Sequence, residues 1–274
     1  MRQPEAMVLA LGLAMAVLVA GGCSRLTFVK QDASRKGVER VAPEYTFKET
    51  ESGKRRLEAR RLAASADRHL RVGELDAAAR QARAAIKADP DLPESHTAMA
   101  LVAARQGNAE LSGSHHSEAA RVGPSGATFN NYGAWLCGNG RAEESLTWFD
   151  QAVTDPRYGD RAGALANAGT CAARAGQFDR VERDLRAALE LDPVNAVALT
   201  SMAEESMRQG RYLDARAFSE RRLAAAPATP TALELASRIE DKLGDSVAAA
   251  RYVQRLRTEF PQAGTAFPGE SSTP

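Results

Sequence analysis

Aromatic side chains are scarce in this chain of 274 residues, at 5% of positions with only two tryptophans. A thick core built on large rings is therefore excluded, and the abundant alanine points to thin helices stacked closely. Charge of one sign is missing too. The net charge is +1; residues 1–56 hold 10 Lys and Arg against 6 Asp and Glu, and the remainder holds 26 against 29. Neither part has the basic character of a nucleic-acid binder, so no nucleic-acid partner is expected. Histidine occurs four times, at His69, His96, His115 and His116. The adjacent pair points about 100° apart on a helix and lacks the i, i+4 spacing of helical metal ligands. No glycine-rich loop follows a strand, because no segment alternates as a strand does. Glu143-Glu144 and Glu204-Glu205 read as solvated helix faces. With no nucleophile, base or metal set in view, the chain reads as a non-enzyme without metal or cofactor.

What is present in quantity is repetition. Residues 124–156 read as a helix, a tight turn and a second, antiparallel helix. Phe129, Tyr132, Gly133 and Leu136 share one face of the first helix, and Ser145, Phe149 and Ala152 point back from the second. Gly133 allows close approach, Gly140 suits a left-handed cap, and Pro156 stops the second helix. Turn glycines recur at Gly73, Gly107, Gly140, Gly176, Gly210 and Gly244, with spacings of 34, 33, 36, 34 and 34. Prolines recur at Pro90, Pro124, Pro156, Pro193, Pro227 and Pro261, and small residues at Ala78, Ser112, Ser145, Val181, Ala215 and Ala249. The period and the apolar pattern match the tetratricopeptide repeat. The expected fold is all-α, a right-handed superhelical solenoid of six helix-turn-helix copies over residues 53–261, with 262–274 a disordered tail. The second copy is the most polar, with His116 in the slot that Phe149 fills in the third. The sixth is expected to cap the stack with Arg251, Gln254, Arg255 and Arg257 outward.

The N-terminus reads as an export signal over residues 1–22. Arg2 precedes an apolar run from Ala6 to Ala20, too short for a comfortable membrane span. The run ends LVAGGC at Cys23, which resembles a bacterial lipobox, although Ala20 stands where a larger aliphatic residue is usual. The resemblance implies cleavage before Cys23 and its acylation, palmitate included. An ordinary secretory signal cleaved near Gly22 is the alternative. Acyl chains anchor a protein to one leaflet without spanning it. Ser24 in place of aspartate favours the outer membrane, on its periplasmic face. Residues 23–52 read as a flexible tether. Of the two other cysteines, Cys137 and Cys171 lie on the first helices of adjacent copies. Export favours a disulfide between them; two buried free thiols are the alternative.

The partner-binding groove is expected on the first helices. Asparagine is a poor mid-helix residue, which singles out Asn131 and Asn167, beside Asn130. In peptide-binding tetratricopeptide domains this slot bonds an extended peptide's backbone, and the resemblance implies the same here; a bond to a neighbouring helix is the other reading. Ala64, Ala98 and Ala127 replace the basic residues of a carboxylate clamp, so a groove for an internal or apolar segment is expected, with Leu70, Leu101 and Ala134 in it.

The stretch Asn130-Asn131-Tyr132-Gly133-Ala134-Trp135-Leu136-Cys137, the following Gly140 to Ser145, the connector Thr154 to Tyr158 and the run Leu256 to Pro261 together resemble the pilotin (PilF/PilW) family of type IV pilus biogenesis and stability lipoproteins. The resemblance implies an outer-membrane lipoprotein that binds the pilus secretin subunit and promotes its localisation or multimer assembly. The anchor would lie in the inner leaflet of that membrane. The alternative is an outer-membrane scaffold for a cell-wall enzyme or another envelope machine. A monomer is the simplest state.

Overall fold

The computed structural model describes residues 50–262. The signal segment, Cys23, most of the tether and the tail beyond Gln262 lie outside the described residues. Twelve helices are present among them: α1 (Glu51–Arg71), α2 (Leu75–Ala88), α3 (Pro93–Arg105), α4 (Ala109–Val122), α5 (Gly126–Gly138), α6 (Ala142–Thr154), α7 (Arg161–Arg174), α8 (Phe178–Leu191), α9 (Ala196–Arg208), α10 (Tyr212–Ala225), α11 (Pro230–Leu243) and α12 (Ser246–Glu259). They form six antiparallel pairs, each packed on the next, which is a solenoid.

The punctuation of this fold is local. Each first helix turns into its partner through a glycine at positive φ, and these are Gly73, Gly107, Gly140, Gly176, Gly210 and Gly244. An L side chain is strained there, so glycine ends the helix at least cost. Each second helix ends two residues before a proline, from Ala88 and Pro90 to Glu259 and Pro261. Several first helices open on a hydrogen-bonding cap, as Ser125, Asp160, Asn195 and Thr229 do for α5, α7, α9 and α11.

Within a pair, side-chain volumes are matched across the closest approach. Gly133 of α5 faces Phe149 of α6, and a Cβ there would sit 2.9 Å from the ring. Gly169 of α7 likewise faces Leu185 of α8, at 2.7 Å. Where the first helix carries alanine in this slot, as at Ala66, Ala100 and Ala203, the partner slot holds Ala82, His116 or Ser219. Phe149 and Leu185 thus stand where glycine makes room, as close packing requires.

The apolar core is not continuous. One cluster joins α1, α2 and α3 through Ala63, Ala66, Ala82, Met99 and Val102. A larger one runs from α5 to α9 and includes Phe149, Val181, Leu185 and Met202. A third joins α9, α10 and α11. No cluster contains a buried residue of α4, whose inner face is Ser112, Gly113, His116, Ala119 and Ala120. At the C-terminal end Arg251, Gln254, Arg255 and Arg257 of α12 are exposed. Arg222 is buried and donates to the carbonyls of Ala226 and Pro227, 3.2 Å away in each case, which closes the end of α10.

Candidate functional site: the surface of the first helices

In every first helix the residue after the small packing slot looks outward. These residues are Asp67, Leu101, Ala134, Thr170, Glu204 and Arg238, all exposed or half-buried. They form a row that is apolar at Leu101 and Ala134 and polar or charged from Thr170 onward. The expected groove residues fall unevenly on it. Leu101 is 43% exposed, and Ala134 is exposed as well. Leu70 is not on the row, and here the expectation is corrected: it is 6% exposed and belongs to the core of the first pair. It shares the helix face of Ala63 and Ala66, three and four positions apart, and so points inward.

The asparagines are also redistributed. The Asn167 amide on α7 donates to Asn130 Oδ1 on α5 at 3.0 Å. Asn131 takes no part in that bond; it lies half-buried beside it. An asparagine amide has two donors and an acceptor with two lone pairs. The bond therefore holds the two side chains together and uses one donor of Asn167 and the oxygen of Asn130.

Below this pair, α5 and α7 are joined covalently. Cys137 and Cys171 form a disulfide, with their Cα atoms 5.9 Å apart. Arg174 donates to the Cys137 sulfur at 3.8 Å. The next joint, α7 to α9, is polar. Thr170 donates its hydroxyl to the Ala166 carbonyl at 2.8 Å, so it accepts from Ser201 across the helices at 2.7 Å. Glu204 follows on α9. Partial burial pushes its carboxyl up from the usual range, while Arg174 and Arg238 on either side pull it down. Neighbouring first helices from α5 to α9 are thus tied in sequence by an amide pair, a disulfide and a hydroxyl pair. Between α3 and α5 there is little direct contact.

The acidic pair on α9 differs from the expected solvated face. Glu205 is 4% exposed and accepts from Arg208 at 2.5 and 2.8 Å. It lies four positions from Ser201 and three from Met202, both buried, so it shares the inner face of α9. The connector at 154–158 also has a definite task. Asp155 accepts from the Gly126 amide at 2.8 Å, and Tyr158 packs where a Cβ on Gly126 would stand. It closes the start of α5 from the following repeat. Among the described residues no helix is long and apolar enough to cross a membrane.

Six glycine-capped helical pairs with a stepped outer row on the first helices define a tetratricopeptide-repeat protein, a scaffold fold for holding other proteins. More particularly, the structure matches tetratricopeptide proteins of type IV pilus biogenesis. PilW, described as a widely conserved type IV pilus biogenesis factor, is 27% identical with a TM-score of 0.68, over 74% of this chain and 94% of that one. PilF of Pseudomonas aeruginosa is 21% identical with a TM-score of 0.66, over 76% of this chain and 95% of that one. A chain of the APC/C Cut9–Hcn1 hetero-tetramer, at 14% identity and a TM-score of 0.65, shares the fold alone. No protein-family profile and no curated protein matches the chain.

Proposed function

We propose that this protein is a non-catalytic outer-membrane lipoprotein that binds the type IV pilus secretin subunit and promotes its placement or assembly into a stable multimer. In this reading residues 1–22 are removed, Cys23 carries the acyl anchor in the inner leaflet, and residues 23–52 tether the solenoid. The observation that carries it is the match to PilW over nearly the whole of that protein. The first-helix surface supplies the docking face. Leu101 and Ala134 offer apolar contact, and the Asn130–Asn167 pair offers polar contact to an extended backbone. Anchoring raises the local concentration of that face at the membrane where the ring forms.

The test is made on cell envelopes with and without this gene. They are run unboiled in SDS and probed for the high-mass secretin ring, with membranes fractionated in parallel. The expected result is a ring that collapses to monomer or moves to the inner membrane, with Cys23→Ala giving the displacement in part. A ring unchanged in amount and place would end the secretin reading and leave an envelope scaffold with another partner.

A further inference from the structure

The second pair holds, between α3 and α4, a group of side chains that the docking row does not use. His96 of α3 is 6% exposed, and its Nε2 lies 2.8 Å from the Pro90 carbonyl oxygen. A carbonyl only accepts, so Nε2 carries the hydrogen and Nδ1 of the neutral ring is bare. That Nδ1 is 3.1 Å from Nδ1 of His115 on α4, which must donate. One proton therefore sits between two imidazoles on two helices. One added proton goes to His115 Nε2 and keeps the bond; only with both rings charged does N–H meet N–H, with ring centroids 5.4 Å apart. Among the described residues no third histidine, cysteine or carboxylate makes a metal set here.

The next residue extends the pattern. His116 is 7% exposed, and its Nδ1 has no hydrogen-bond partner. Two buried hydroxyls of the same pair, Ser95 and Ser112, are likewise unpartnered. The neighbouring charges do little to hold a proton on His116. Glu118 acts on His96 and His115 but is engaged by Arg121 at 2.5 and 2.7 Å, and Asp91 of the preceding connector acts on Arg121. Helix α5, packed on α4, contains no Asp, Glu, Lys, Arg or His. Helix α2, packed on α3, carries Asp76, Arg80, Arg83 and Lys87, all exposed, and on α3 itself Glu94 and Arg105 are exposed too. Burial first, and the charge of His115 second, lower the pKa of His116 to about 4. His115 is lowered by burial and by His96, against an opposing pull from Glu118.

We infer that the second pair is a proton-operated latch: mild acid charges the buried imidazoles of α4, His116 and its neighbour His115, and α4 releases from α3. The sign follows from linkage. A histidine held neutral in the folded state stabilises that state above its unfolded pKa of about 6.5, and this contribution is lost as pH falls toward the folded value. Outside this group α4 is lightly held: it adds no buried residue to an apolar cluster, with Leu111 at the edge of one and Trp135 of α5 seated on Gly113. The inference holds whichever partner the solenoid serves.

Hydrogen exchange on the full chain at pH 7.5 and pH 5.0, corrected for the intrinsic pH dependence, tests it. Opening of the α4 amides is expected to rise roughly thirtyfold through His116 alone, with α8 unchanged. The double variant His115→Gln, His116→Leu is expected to lose the response. An α4 protection independent of pH, an equal change in α8, or a response that survives in the double variant would overturn the inference. Should that variant fail to fold by circular dichroism, imidazole resonances of the wild type decide. A His116 that stays neutral in the closed state below pH 5 agrees with the latch, and one that titrates near 6.5 without opening refutes it.

Discussion

Two successive junctions of this solenoid are built on opposite principles. Between the third and fourth pairs, α5 and α7 share a disulfide, an asparagine bond and one apolar cluster that includes Cys137, Phe149, Ala168 and Leu185. Between the second and third pairs none of these recurs. The contact there is Trp135 of α5 seated on Gly113 of α4, with the indole N–H donating to the Ala109 carbonyl at 3.2 Å. Behind it, within the third pair, Tyr132 packs edge-on to Trp148 with ring centroids 4.8 Å apart. In a solenoid each unit packs only on its neighbours. A difference between junctions therefore stays local, and one fold can hold a rigid segment beside a yielding one.

The contrast is sharpest where it can be broken. Phe149→Ala removes a side chain with 0% exposure from the larger cluster and leaves a void under Gly133. A loss of roughly 3–5 kcal/mol is expected by denaturant unfolding. Cys171→Ala frees the 34-residue separation closed by the disulfide. It is expected to cost roughly 2–4 kcal/mol, seen as a lower melting temperature that reductant no longer changes. At the other junction, Gly113→Ala would put a Cβ 2.2 Å from the Trp135 ring. The ring must move, at about 1–3 kcal/mol, and tryptophan fluorescence should shift while α8 exchange does not. The smallest effect is expected from Asn167→Ala, about 1 kcal/mol, since it removes one half-buried hydrogen bond. Its partner affinity should fall further than its stability does.

Much of this was legible in the chain because the signals are local. A glycine at positive φ and a proline two residues past a helix end are single-residue constraints, and they recur with the period of the fold. The match of Gly133 with Phe149 is legible for the same reason. Contacts between repeats are not. Asn167 meets Asn130 rather than Asn131, and His96 meets His115, because the offset between stacked helices decides those pairings and no period encodes it. Two misplacements carried a readable signal. Leu70 repeats the face of Ala63 and Ala66, and Glu205 that of Ser201 and Met202, which marks both as inward. Gly113 was a third such signal, a mid-helix glycine whose use is the close approach of Trp135.

The central claim is that the first-helix row receives the secretin subunit. A photo-crosslinking amino acid at Ala134, on that row, and another at Arg251, exposed on α12, put it to a direct test in intact envelopes. The account predicts a secretin adduct from position 134 and none from position 251. An adduct from 251 alone would place the partner on the second helices and contradict it.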